Sequence, residues 1–124
     1  MTTARPTLDE FTAAYIECAL WSSTDDNGEP IDANYDVDSI DPQALHDVIV
    51  DCREFTTAYR ELIAGQESQA GHDYWLTRNR HGAGFWDRGD DVYPESVREY
   101  LTRISHEAGS VDVYVGDDGQ LYFS

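Results

Sequence analysis

At 124 residues the chain is long enough for one domain with a small core. Its 25 aspartates and glutamates meet eight arginines and no lysine, a formal net charge of -17. Such a surface repels nucleic acid and anionic membranes over a Debye length of about 8 Å at physiological salt, and it suits a basic partner, a cation or a high-salt solvent.

The start, MTTARPTLDEF, has no apolar run of the signal-peptide kind. No stretch approaches the roughly 20 apolar residues of a membrane span, so the expectation is a cytoplasmic protein that makes no membrane contact. Thr7-Leu8-Asp9-Glu10 reads as a capping box opening a first helix. Leu8, Phe11, Tyr15, Cys18 and Ala19 then follow helical spacing to about Trp21. From Ser22 to Asp41 the periodicity stops. This stretch carries Asp25, Asp26, Glu29, Asp32, Asp36, Asp38 and Asp41 and no basic residue. Asp26-Asn27-Gly28 signals a turn. A calcium loop aligned on Gly28 would need ligands where Ser23 and Asn34 stand, so the pattern fails. Ile31, Tyr35, Val37 and Ile40 are expected to pin this long loop to the body.

Asp41 as N-cap and Pro42 in the first turn open a second helix. Leu45, Val48, Ile49, Cys52, Phe55, Tyr59, Leu62 and Ile63 form its apolar stripe, and Gly65 is its stop. The first two helices are expected to pack as an antiparallel pair, and Gln66 to Ala70 reads as a short polar linker. Cys18 and Cys52 fall on the apolar stripes and read as reduced core thiols. His72 to Arg78 is rich in β-formers and reads as a strand, with Asn79 to Gly89 a loop. Phe85 and Trp86 are too apolar for water; they either plug that loop onto the core or form a binding patch. Pro94 starts a third helix with Val97, Tyr100, Leu101, Ile104 and Ala108 inward, Glu99 and Arg103 paired on its surface, and Gly109 as its end. Val111 to Val115, a turn at Gly116-Asp117-Asp118-Gly119 and Leu121 to Phe123 make a hairpin. Its Tyr114 and Tyr122 share one face.

The segment GHDYWLTRNRHGAGFWDRG, residues 71–89, holds two of the three tryptophans, two of the four histidines, three of the eight arginines and four of the nine glycines. Followed by VDVYVGDDGQLYFS, and preceded by YIECALWSSTDDNGEPIDANYDVDSI, it resembles a family of small acidic proteins of tailed phages and related mobile elements. There the first segment typically reads GHDFWLTRNGHGAGFWDRG. Tyr74 stands in place of Phe and Arg80 in place of Gly, and the second change bears on the turn between Asn79 and His81. The resemblance implies a phage-type context and supplies no catalytic residue.

Chemically, His72, His81, Arg78, Arg80 and Arg88 form a basic island. They either bond surrounding carboxylates and carbonyls or bind an anion. Arginine forks and glycine-rich backbone both suit phosphate, with Trp75, Phe85 and Trp86 available to stack a base. His72 and His81 with Asp73 or Asp87 fit no standard metal spacing, and no metal or other cofactor is assigned. The acid offers another chemistry. Asp36 and Asp38, two apart in an extended segment, would point the same way roughly 6–7 Å apart. Asp47, Asp51 and Glu54 repeat along the second helix. Such rows can imitate a phosphate backbone.

The expected fold is α+β, a single domain over 1–124 of order α-α-β-α-β-β. A helical hairpin with its acidic loop spans about 7–65. A β-α-β-β part over about 71–124 would give a small, mostly antiparallel three-stranded sheet with a packed helix. The expected function is non-enzymatic: a phage accessory protein in the host bacterial cytoplasm, an acidic nucleic-acid mimic of the anti-CRISPR or anti-restriction type. It would bind the basic groove of a host protein through Asp25, Asp26, Glu29, Asp32, Asp36, Asp38, Asp47, Asp51 and Glu54, without contacting nucleic acid. The alternative is a nucleotide- or RNA-binding protein, or an enzyme, using Arg78, Arg80, His81, Trp86 and Arg88. A third reading is an acid-coated scaffold that is merely soluble or adapted to salt. A one-sided band of acid favours mimicry, and an even coat favours solubility.

Overall fold

The structure, a computed structural model, describes residues 7–124; the opening six residues of the MTTARPTLDEF start lie outside the described residues. The fold is α+β. Four helices, α1 (Glu10–Ser22), α2 (Pro42–Ile63), α3 (Glu67–Arg78) and α4 (Glu95–Ala108), precede an antiparallel hairpin of β1 (Val113–Val115) and β2 (Leu121–Phe123). Val113 pairs with Phe123 and Val115 with Leu121.

Helix α1 starts later than the capping box predicts. Asp9, not Thr7, is the N-cap, and its carboxylate accepts the Thr12 N–H at 2.8 Å. Helix α2 starts where expected, with the Asp41 carboxylate accepting from the Ala44 N–H at 3.0 Å. Helix α4 runs from just after Pro94 to just before Gly109, as its periodicity predicts. Arg103, however, lies over the Tyr100 ring at 5.1 Å and is not within ion-pair distance of Glu99.

The main correction concerns residues 66–78. The predicted linker and strand are one helix, α3, and the sheet therefore has two strands, not three. The β-preference of Tyr, Trp and Thr is a weak, context-dependent term that burial overrides. Helix α3 is buried along nearly its whole length, from Ala70 and Gly71 through Asp73 to Arg78. Its principal neighbour is α1, so the expected pairing of the first two helices is secondary to this one. Gly71 makes the close approach possible: a Cβ there would lie 2.0 Å from the Phe11 carbonyl oxygen.

An aromatic cluster fills the centre. Phe55 of α2 stacks on Tyr74 at 4.2 Å and on Phe11 at 5.3 Å, and Tyr15 meets Trp75 edge-on at 5.3 Å. A two-stranded hairpin is marginal on its own. Here Val113 and Leu121 are buried against the body, and Tyr114 and Tyr122 stack at 5.8 Å on the outer face. Cys18 and Cys52 are free thiols in the core. Among the described residues no helix is long and apolar enough to cross a membrane.

Candidate functional site

Two of the arginines in the 78–88 segment are consumed by the fold. Arg78, at the end of α3, is 5% exposed. Its Nη1 donates to the Asp51 carboxylate of α2 at 2.5 Å and to the Tyr15 hydroxyl of α1 at 3.1 Å. Its Nε and Nη2 donate to the carbonyls of Gly109 and Ala108 at the end of α4, at 2.8 and 3.3 Å. The guanidinium also sits 4.8 Å from the centre of the Tyr74 ring. One cation thus joins all four helices and satisfies carbonyls that a helix end leaves free. Burial pushes the Tyr15 and Tyr74 phenols up, which keeps both neutral beside it.

Arg88 donates twice, at 2.7 and 2.9 Å, to one oxygen of Asp73, a carboxylate with no solvent exposure. The same oxygen accepts from Gln69 at 2.9 Å, and the other accepts from the Tyr93 hydroxyl at 3.2 Å. This pair clamps the loop after α3 back onto the helix. Buried charges need such complete partnering.

The loop between these anchors begins with a sharp turn. The Arg80 N–H donates to the Thr77 carbonyl and the His81 N–H to the Leu76 carbonyl, the two bonds of a Schellman motif. Arg80 occupies its left-handed position with φ 56°, where glycine is the preferred residue. An arginine therefore stands at a turn position that favours glycine. Next, Gly84 passes so close to Thr77 that a Cβ would meet its hydroxyl at 2.2 Å, and that hydroxyl accepts the Phe85 N–H at 3.0 Å. Phe85 is fully buried and plugs the loop, whereas its neighbour Trp86 is 48% exposed.

Of the five residues Arg78, Arg80, His81, Trp86 and Arg88, only Arg80 and Trp86 share an open cleft, of about 620 Å³. His81 is exposed outside it. The cleft's other basic side chains come from α4: Arg98, Arg103 and the imidazole of His106. Sequence reasoning missed these, although Arg98, Thr102 and His106 recur every four residues along one helix face. Arg98 is held by Asp90 at 2.6 Å, and Glu95, Glu99 and Glu107 also line the cleft, so its charge is mixed. Burial, then the charge of Arg80, pushes the His106 imidazole below its usual value. The Thr102 hydroxyl is buried and has no hydrogen-bond partner among the described residues.

The acidic residues divide differently from expectation. Asp51 is turned inward to Arg78, which breaks the predicted row of Asp47, Asp51 and Glu54. Asp47 and Glu54 remain exposed, with Asp47 accepting from Gln43 at 3.0 Å. Asp36 and Asp38 do not lie in an extended strand. Val37–Ser39 is a 3-10 turn capped by Asp36, which accepts the Asp38 N–H at 3.0 Å. Asp25 accepts the N–H groups of Asn27 and Glu29, and Glu29 accepts from the Asn34 side chain at 2.8 Å. These bonds coil the loop on itself.

The loop is tied down at both ends. Ile31 and Ile40 are fully buried, and Ile40 forms a parallel bridge with Leu121, with the Asp41 N–H donating to the Leu121 carbonyl at 3.0 Å. The end of the loop, at Ile40 and Asp41, therefore adjoins the hairpin of 112–124 at Leu121. Together these segments carry seven and three carboxylates and no Arg, Lys or His. Among the described residues no cluster of three or more His, Cys, Asp or Glu side chains is arranged to hold a metal ion.

No protein-family model, curated protein or solved structure matches the chain.

Proposed function

We propose that the protein is a non-enzymatic phage accessory protein that occupies the basic groove of a host nucleic-acid-handling protein as an acidic mimic. The observation that carries this reading is the loop 23–41, which has seven carboxylates and no basic residue and is fixed in shape by Ile31, Ile40 and the Asp25 and Asp36 turns. Preorganised charge loses little entropy on binding, and a single sign of charge steers a basic partner from a distance. The phage context comes from the sequence resemblance. Burial, the chief influence on both thiols, pushes Cys18 up to about 12 and Cys52 higher, so neither offers a ready nucleophile.

The test is capture from a nuclease-treated bacterial lysate at low and high salt, with duplex DNA as competitor. The wild type retains a nucleic-acid-binding protein that DNA displaces. A variant with Asp26, Asp32, Asp47 and Glu54 changed to Asn or Gln retains at least tenfold less. Equal retention by this variant would remove the acidic surface from the account. Asp36 and Asp51 are left out because each holds the fold.

A second reading rests on the cleft of Arg80 and Trp86. Neither Arg80 nor Arg103 has a carboxylate within ion-pair distance among the described residues, and an exposed indole beside them could stack a base. Three glutamates in the same cleft oppose a phosphate. Quenching of tryptophan fluorescence by AMP that disappears in Trp86→Leu would favour this reading.

A further inference from the structure

On the same side of α1 as the acidic loop lies an apolar slot. Ile16 and Leu20 of α1 and Leu8 before it face Val37 and Tyr35 of the loop across a space of about 340 Å³. Ala13 leaves one wall low. That volume is at the small end of ligand clefts, which run from roughly 300 to 1,000 Å³. It has room for one or two side chains, not for an extended ligand. The charged groups at its edge are all negative, Glu17, Asp32 and Asp36, and among the described residues no cation lines it.

An apolar floor with a carboxylate rim complements one kind of surface, a cation-rich segment with a projecting apolar side chain. A nucleotide or a fatty acid would be repelled by the rim, and a neutral apolar ligand would leave the three carboxylates without a counter-charge. We propose that this slot receives an apolar anchor residue from a basic amphipathic segment of the partner protein, while Glu17 and Asp32 engage the flanking Lys or Arg side chains. This deepens the proposed function and rests on it: the acid attracts and orients the partner, and the slot selects it. A pure polyanion would bind any basic groove, whereas burial of an anchor adds contact that only a matching sequence can make.

The test uses two fluorescein-labelled peptides of equal charge. One is a Lys/Arg-rich amphipathic helix with a leucine face; the other has every leucine replaced by serine. Fluorescence anisotropy should show the leucine peptide binding about tenfold tighter or more, as burial of one leucine side chain implies. Ala13→Trp, on an exposed α1 position, fills the slot over Ile16 and Leu20 without replacing a buried side chain. It should erase the preference for the leucine peptide and leave the affinity for the serine peptide unchanged. Glu17→Gln with Asp32→Asn should weaken both peptides alike. Circular dichroism melting confirms that each variant is folded.

Equal affinity for both peptides would overturn the slot while leaving the acidic-mimic reading in place. Binding of neither peptide at low salt would remove both. Self-association in sedimentation that Ala13→Trp abolishes would assign the slot to a second copy of this chain, which also overturns the proposal.

Discussion

The segment 78–88 and the loop 23–41 are both charged and largely irregular, yet they spend their charge in opposite ways. Arg78 and Arg88 face inward, where each finds a carboxylate and further hydrogen-bond partners. Asp26, Asp32 and Asp36 stay at the surface, and the loop obtains its shape from short-range carboxylate-to-backbone bonds. The difference arises from supply. With 25 carboxylates and eight arginines, every buried cation can be matched, and the surplus acid has no internal use. Charged residues in the first region hold helices together; in the second they are available to another molecule.

Substitutions should separate the two regions clearly. The largest effect belongs to Arg78→Ala, which removes a buried guanidinium and leaves the carbonyls at the end of α4 and the Tyr15 hydroxyl without their partner. A loss of about 2–4 kcal/mol in urea unfolding is expected. Arg78→Lys should recover only part of it, because an ammonium cannot reproduce the guanidinium fork. Next comes Gly71→Ala. Its methyl group would collide with the Phe11 backbone and force α1 and α3 apart, for about 1–3 kcal/mol. A smaller change of opposite sign is expected at the turn. Arg80→Gly relieves a left-handed residue and should stabilise the protein by about 1 kcal/mol, seen as a higher Tm.

In the loop, Asp26→Asn with Asp32→Asn should move stability by less than about 0.5 kcal/mol while weakening any basic partner. A loss of several kcal/mol would show that the acid is structural after all. The smallest effect concerns His106, which titrates below its ordinary value of 6.5. A folded-state value below the unfolded one means that its contribution to stability is present above about pH 6.5. That contribution is lost as pH falls through the folded value. An NMR titration should place His106 below 6.5, and Arg80→Gly should move it back up by removing a nearby positive charge.

The sequence patterns differ in how much of this they reveal. Helices α2 and α4 have one wet and one dry face, so period and caps expose them directly. The hairpin is equally plain from its alternating valines and its Gly-Asp-Asp-Gly turn. Helix α3 has only a narrow wet edge, at Glu67, Ser68, Gln69 and His72. A helix packed on nearly every side lacks the stripe by which helices are recognised, and Tyr74, Trp75 and Thr77 then suggest a strand. The four-residue steps Ala70 to Tyr74 to Arg78 and Gly71 to Trp75 were the available signal. At the candidate sites, the absence of basic residues from 23–41 was visible at once. That Asp51 belongs to Arg78 was not, because the two are 27 positions apart and meet only through the packing of α2 beside α3.

The parallel bridge between Ile40 and Leu121 has a consequence in time. It joins positions about eighty residues apart, so the acidic loop cannot acquire its final seat until β2 has left the ribosome. A nascent chain carrying residues 23–41 has all the negative charge of the finished loop and none of its fixed geometry. The loop's fixed geometry should therefore arrive abruptly, coupled to formation of the Ile40–Leu121 bridge and not to accumulation of charge.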